Sequence, residues 1–359
     1  MTGTRTLVVW LMSLTVIAVS GCASIGPTTI ARDRFDYVAS ISDSWKRQML
    51  QNLLKVRYTD APVFLDIASV TNAYGFEGGL GASGQITNVG GRGDTFGAAG
   101  ANVGYADHPT ITYTPLSGER FARNLLTPLS VSAVLYLLQT GFPADMVLRI
   151  ATSEVNGLDN AFGGQGNTHG GDPRFAELLA AMRAAQSAGD LGVRPQSAKD
   201  KEGSAIYFRA SDEGSKTAVR KVQELLGIDP KAREYNVVYG SFPSTDTEIA
   251  IVTRSTMQVL VDFASHVDVP AADVADGSVF VPPRSAEQER MFPRLMHVHC
   301  CDEVPACAFV SVRYRDQWFW IDDRDVRSKA ALNFLLMLFS LTETATTPPA
   351  VPVVTIPSR

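Results

Sequence analysis

A short segment near the C-terminus holds the side chains best suited to coordination or redox chemistry. It reads Met296-His297-Val298-His299-Cys300-Cys301, and a further cysteine follows at Cys307. Imidazole together with thiolate suits zinc or copper, so a metal site is one interpretation. The spacing matches no familiar zinc motif, and we therefore expect no metal and no other cofactor. A disulfide from Cys307 to Cys300 or Cys301, and buried reduced thiols, are the other two interpretations.

A second cluster combines aromatic and acidic residues in Trp318-Phe319-Trp320-Ile321-Asp322-Asp323-Arg324-Asp325. A carboxylate pair of this kind can act as acid and base or bind a cation. We favour capping instead, in which Asp322, Asp323 and Asp325 accept hydrogen bonds from free N–H groups at the start of the last helix.

Motifs of known enzyme classes are missing or incomplete. The string from Gly79 to Gly84 matches a dinucleotide fingerprint, but that mechanism requires a helix after the glycines, and an extended Gly-rich stretch follows instead. The chain has five histidines, at 108, 169, 266, 297 and 299, and none has the neighbours of a Ser-His-Asp arrangement. We therefore predict no catalytic residues and no enzymatic activity.

The N-terminus carries a targeting signal. Arg5 precedes an apolar run from Leu7 to Val19, which is too short for a membrane-spanning helix and is typical of a signal peptide over 1–21. Val19-Ser20-Gly21-Cys22 follows, and it resembles the lipobox of bacterial lipoproteins. The resemblance implies cleavage before Cys22, lipid attachment at Cys22 and anchoring through several acyl chains.

The residue that follows Cys22 indicates the membrane in which the protein is anchored, and the compartment bears on the state of the cysteines. Ala23 stands where an Asp would suggest retention in the inner membrane, so we expect a periplasm-facing protein anchored to the cell outer membrane. An oxidising periplasm favours the disulfide among the interpretations of Cys300, Cys301 and Cys307.

Composition excludes two broad classes. Of 359 residues, 45% are hydrophobic and 19% are charged, which excludes a disordered chain and requires a buried core. Lys and Arg number 32 against 37 Asp and Glu, giving a net charge of −5 with no run of like charges. Because duplex binding rests on neutralising phosphates, we expect no nucleic-acid partner.

Periodicity predicts an α+β fold with small mixed sheets packed against amphipathic helices. An N-terminal region covers 22–200, a β-α-β-β-α unit covers 201–270, and a C-terminal hairpin, buried helix and extended tail cover 284–359. Within the first region we expect a helix from Ser44 to Tyr58, capped by Asp43 or Ser44. Further helices should cover Glu119 to Leu126 and Val131 to Gln139, and a buried strand should run from Asp145 to Val155.

The most unusual segment is a Gly-rich hairpin within 72–114. Even positions from Tyr74 to Ile86 are apolar or small, odd positions are small or polar, and a second extended run covers Phe96 to Tyr105. The run lengths also fit membrane-spanning strands of about 9 to 11 residues, but a lone hairpin leaves its edges unpaired in lipid. A mobile soluble arm is the favoured interpretation, and a hairpin shared with other subunits is the alternative.

Strings at both ends of the mature chain resemble those of uncharacterised envelope lipoproteins from Gram-negative bacteria. They are Asp33-Arg34-Phe35-Asp36-Tyr37 and Val312-Arg313-Tyr314-Arg315 with the acidic cluster that follows. The resemblance implies an envelope location and brings no activity. We expect a non-enzymatic structural or assembly role, with a homo-oligomer or an envelope protein as partner. The alternative is a subunit of an oligomeric outer-membrane pore or export complex.

Overall fold

A computed structural model describes residues 25–87, 94–164, 168–198, 201–209, 213–281, 284–301, 303 and 306–343. The predicted signal peptide, Cys22 and the C-terminal tail lie outside the described residues. The α+β prediction is confirmed, because the described residues form ten helices and three separate sheets. The helices are α1 Ile25–Arg57, α2 Glu119–Leu126, α3 Val131–Gln139, α4 Ala144–Ala151, α5 Pro173–Ser187, α6 Glu213–Leu226, α7 Thr256–Ala264, α8 Ala271–Ala275, α9 Ala286–Met291 and α10 Val326–Glu343.

The strands fall into sheets of two, six and three strands. They are β1 Phe64–Thr87, β2 Asp94–Leu116, β3 Thr152–Val155, β4 Leu158–Asp159, β5 Leu191–Ala198, β6 Lys201–Phe208, β7 Glu234–Tyr239, β8 Glu248–Thr253, β9 His299–Cys301, β10 Ala308–Tyr314 and β11 Gln317–Asp322. The six-stranded sheet has the order β4-β3-β8-β7-β6-β5, and only β7 and β8 run parallel. The sheet thus joins strands from both sides of residue 200, which is the predicted boundary between the N-terminal region and the β-α-β-β-α unit.

Helix α1 is longer than the predicted helix from Ser44 to Tyr58. It begins at Ile25, so Asp43 and Ser44 lie inside it and cap nothing. Asp43 instead pairs with Lys46 at 2.5 Å, one turn further along. Pro27 is compatible with this early start because it lies in the first turn, where a missing N–H breaks no helical hydrogen bond.

The predicted buried strand from Asp145 to Val155 is wrong. Residues Ala144–Ala151 form α4, and only Thr152–Val155 are a strand. Pro143 precedes the first turn and Asp145 lies in it, both typical of a helix start. A short, largely apolar run such as Met146 to Ala151 looks the same in a buried strand and a buried helix, which explains the error.

Strands β1 and β2 pair with each other antiparallel from Phe64 opposite Leu116 to Thr87 opposite Asp94. The register shifts once, between Ile67 and Ser69. In the part of the chain that the structure describes, no third strand joins this sheet. Residues 88–93, which connect the two strands, lie outside the described residues. None of the described helices combines the length and apolar character that crossing a bilayer requires.

Candidate metal centre

Two chain segments meet beside the three-stranded sheet. That sheet has the order β10-β11-β9, and His299 on β9 pairs with Trp320 on β11. Just before β9, Val298 forms a parallel bridge with Val267, which follows α7. The N–H of Asp268 donates to the carbonyl of Val298 at 2.9 Å. This bridge fixes Asp268 beside His297 and His299.

Asp268, His297 and His299 form the one group of potential metal ligands found among the described residues. Each offers one ligand atom, and these atoms all lie within 4.8 Å of one another. Nε2 of His297 lies 2.6 Å from Oδ2 of Asp268. The rings of His297 and His299 have centroids 3.8 Å apart, and His299 stacks on Trp320 at 4.3 Å.

The charges around the cluster favour an ionised carboxylate and a neutral imidazole. Burial acts to raise the pKa of Asp268, but hydrogen bonds from His297 and Arg294 outweigh it and hold the pKa below its ordinary value. The Arg294 guanidinium donates to Oδ1 of Asp268 at 2.8 Å. Burial lowers the pKa of His299, and the neighbouring His297 adds to this shift. A neutral imidazole keeps a lone pair for a metal ion.

The sequence brought His297 and His299 to attention but missed Asp268. Nothing in the spacing of Val267-Asp268-Val269-Pro270 relates this segment to His297, because the link is a tertiary backbone bridge. The candidate metal ligands in the structure are therefore two histidines and a carboxylate, rather than the histidines and cysteines that the sequence suggested.

The predicted disulfide is not formed in the structure. Cys300 lies opposite Phe319 on β11, whereas the carbonyl of Cys307 accepts a hydrogen bond from the N–H of Asp323 at 3.0 Å. Asp323 is four residues beyond Phe319, about 13 Å along a strand. A disulfide requires Cα atoms within about 7 Å. Cys307 is exposed with a free thiol, and the side chain of Cys301 lies outside the described residues.

The three acids at the end of β11 and just after it have three different roles. Oδ1 of Asp325 accepts from the N–H of Ser328 at 3.0 Å, so Asp325 caps α10. Asp322 accepts from the N–H of Arg324 at 2.8 Å, which closes a local turn. Oδ1 of Asp323 instead accepts a hydrogen bond from Nζ of Lys329 at 2.6 Å. Capping is thus correct for Asp325, while the capping role predicted for Asp323 is wrong because its carboxylate is turned to a cation.

A second cluster of charged side chains, which we did not predict from the sequence, is buried in the core. Oδ2 of Asp262 accepts from Arg149 at 2.8 Å and from Arg254 at 2.9 Å, while Oδ1 accepts from the N–H of Gly163 at 2.9 Å. All three charged side chains are 5% exposed or less. The usable signal was a charged residue inside an apolar run, as in Met146-Val147-Leu148-Arg149-Ile150-Ala151.

Both oxygens of the buried Asp262 carboxylate are occupied by protein donors. Burial alone would raise the pKa of Asp262, but the charges of Arg149 and Arg254 hold it well below its usual range. Arg254 also donates to the carbonyl of Ala161 at 2.7 Å. These contacts tie α4, α7 and the loop after β4 together, which is a structural role.

Comparison with known proteins gives no further guide. No protein-family model, no curated protein and no solved structure matches the chain.

Proposed function

We propose that this protein is a lipid-anchored component of the cell envelope with a non-enzymatic structural or assembly role. The observation that carries the proposal is the long two-stranded sheet β1-β2, which in the described part of the chain pairs with no other strand. A sheet with two such edges presents rows of backbone N–H and C=O groups that a neighbouring chain can pair with.

The position of α1 supports the anchored arrangement. It begins at Ile25, three residues after the predicted lipid site Cys22. Residues 34–48 of this helix are exposed or half-buried, and its first fully buried residues are Met49 and Leu50. From Ile25 to Gln48 the helix measures about 36 Å, so it would hold the folded body away from an anchored Cys22.

The anchor is tested by Cys22→Ser in cells grown with labelled fatty acid. We expect the variant to incorporate no label and to leave the membrane fraction. Equal labelling of variant and wild type would contradict the proposal, because acylation would then not depend on this cysteine.

A second candidate is a subunit of an oligomeric outer-membrane pore or export complex. It is favoured by the register of the hairpin, in which Phe76 lies opposite Tyr105, Leu80 opposite Ala101 and Ala82 opposite Ala99. Directly opposed positions share a face of a two-stranded sheet, so most apolar positions of both strands fall on one face. Mostly small and polar positions occupy the other, as at Ser83 opposite Ala98, with Phe96 opposite Gln85 as an exception.

Arginine substitutions separate the two candidates. If the apolar face meets lipid, Leu80→Arg should cost roughly 2 to 4 kcal/mol near the bilayer midplane and block assembly, whereas Ser83→Arg should be mild. If the hairpin is a soluble arm, both should change stability by less than about 0.5 kcal/mol. We expect the two variants to behave alike in folding and membrane extraction. A defect confined to Leu80→Arg would favour the pore.

A further inference from the structure

The Asp268-His297-His299 cluster has the composition of a transition-metal site. Two imidazoles and one carboxylate are ligands that zinc and related divalent ions prefer, and three protein ligands leave one position of a tetrahedral ion open. Among the described residues no other group of this kind comes together. We propose that Asp268, His297 and His299 bind a divalent transition-metal ion of the Zn²⁺ type, each through one atom.

The backbone places the ligands without help from an ion. His297 and His299 are two residues apart in and beside a strand, and residues at that spacing share one face. Asp268 is held beside them by the bridge between Val267 and Val298. The N–H of His297 also donates to Oγ of Ser328 at 2.8 Å, which links the segment to α10.

The side chains are supported but still accessible. His299 is stacked on Trp320, which limits its ring orientations. The side chains of His297 and Asp268 are 40% and 39% exposed, so an ion from solvent can reach them. Arg294 binds Oδ1 of Asp268 and leaves Oδ2 directed at His297. Outer partners of this kind orient a carboxylate ligand.

The distances require only small side-chain movements. Ligand atoms on a tetrahedral Zn²⁺ lie about 3.3 Å apart, given bonds of about 2.0 to 2.2 Å. The 2.6 Å contact between His297 and Asp268 would therefore lengthen, and no ligand separation, each being at most 4.8 Å, would need to shorten by more than about 1.5 Å. The ion would take the place of the direct hydrogen bond between Nε2 and Oδ2.

Cys300 is not a member of this set. It lies between His299 and Cys301 on β9, and alternation along the strand directs it to the opposite face from His299. It packs against the hydrophobic core there. The inference does not depend on the proposed assembly role, since it uses neither the hairpin nor the anchor.

The test is Zn²⁺ titration of the detergent-purified full chain by calorimetry after chelator treatment. We expect saturable binding of one ion, and at least a tenfold higher dissociation constant in each of His297→Ala, His299→Ala and Asp268→Asn. The matched control is His169→Ala, a histidine that is exposed in a loop away from the cluster. It should bind Zn²⁺ like the wild type.

A thermal measurement guards against misfolded variants. Zn²⁺ should raise the melting temperature of the wild type and of His169→Ala, and should fail to do so in the three ligand variants while their metal-free melting stays cooperative. The proposal is overturned if the wild type binds no Zn²⁺, or if the three variants bind it unchanged. Loss of binding after alkylation of the thiols would equally overturn it, because cysteines would then be the ligands.

Discussion

Asp262 and Asp268 lie six residues apart in one segment, yet their surroundings are opposite. The side chain of Asp262 is 1% exposed and accepts from Arg149, Arg254 and a backbone N–H. The side chain of Asp268 is 39% exposed, and one of its oxygens faces His297, which is itself half-exposed. Both carboxylates are held ionised, but only one has an oxygen that solvent and a dissolved ion can reach.

The difference shows that burial of a carboxylate together with its donors, rather than the number of its hydrogen bonds, separates a structural charge from a candidate binding site. The carboxylate of Asp262 is occupied by donors that cannot leave without exposing buried charges. In the other cluster the hydrogen bond between Asp268 and His297 joins two partly exposed side chains, and Trp320 stacks on the His299 ring without using a ring nitrogen. Proximity of charged groups alone therefore does not identify a functional site.

The largest effect should come from Asp262→Ala. Removing the carboxylate leaves Arg149 and Arg254 buried without a counter-ion, and we expect a loss of about 3 to 5 kcal/mol in the free energy of unfolding. Denaturant titration followed by circular dichroism measures this. A loss below about 1 kcal/mol would mean that the cluster is not the structural element we describe.

A triple variant serves as the control for that experiment. Replacing the three charged side chains together, by Arg149→Met, Asp262→Leu and Arg254→Met, removes the charges as well as their desolvation cost. Most of the lost stability should return. If the triple variant is as unstable as Asp262→Ala, the packing of these side chains matters more than their charge.

The same carboxylate should make the protein sensitive to acid. The pKa of Asp262 is lower in the folded state than its ordinary value, so its contribution is present above about pH 4 and is lost as the pH falls below that. For one group the loss approaches about 1.4 kcal/mol per pH unit. The wild type should therefore lose stability faster than the triple variant between about pH 4 and 2.5 in denaturant titrations. Parallel curves would contradict this assignment, since other acids are common to both proteins.

Local pattern was enough for much of the fold. The bounds predicted for α2 and α3, at Glu119 to Leu126 and Val131 to Gln139, are those of the structure, because capping and helical spacing are local signals. The strand predicted from Asp145 to Val155 was wrong because a buried helix and a buried strand can show the same apolar pattern. Residues 34–43 of α1 were missed because they are largely exposed, so burial gives them no strong apolar pattern.

The sites were less accessible to sequence because they are assembled from distant segments. Arg149 and Asp262 are 113 residues apart, and Asp268 and His297 are 29 apart. Two of the three members of the open cluster, His297 and His299, lie in one string that can be recognised by eye. The partner follows from a bridge between Val267 and Val298, which no spacing rule predicts.

A smaller effect on stability is expected at the start of α10. There Asp325 and Asp323, like Asp262 and Asp268, are close in sequence but have different partners. Asp325→Ala removes the cap that accepts from Ser328 and should cost about 0.5 to 2 kcal/mol. Asp323→Ala removes only the exposed pair with Lys329 and should cost less than about 1 kcal/mol. Thermal melting of both variants measures the difference. The reverse order would restore Asp323 as the cap.

The smallest effect on the free energy of unfolding should be that of Asp268→Asn in the metal-free protein, and it tests the contrast between Asp268 and Asp262. The carboxylate is partly exposed, and its pairs with Arg294 and His297 are screened by water, so we expect a cost below about 1 kcal/mol in denaturant titration. Asparagine keeps an oxygen for Arg294, which limits the loss further. Added Zn²⁺ should then widen the gap between wild type and variant, because only the wild type gains stability from binding. A loss of 3 kcal/mol or more without metal, about the size predicted for Asp262, would show that Asp268 is a structural charge and that the contrast between the two carboxylates is wrong.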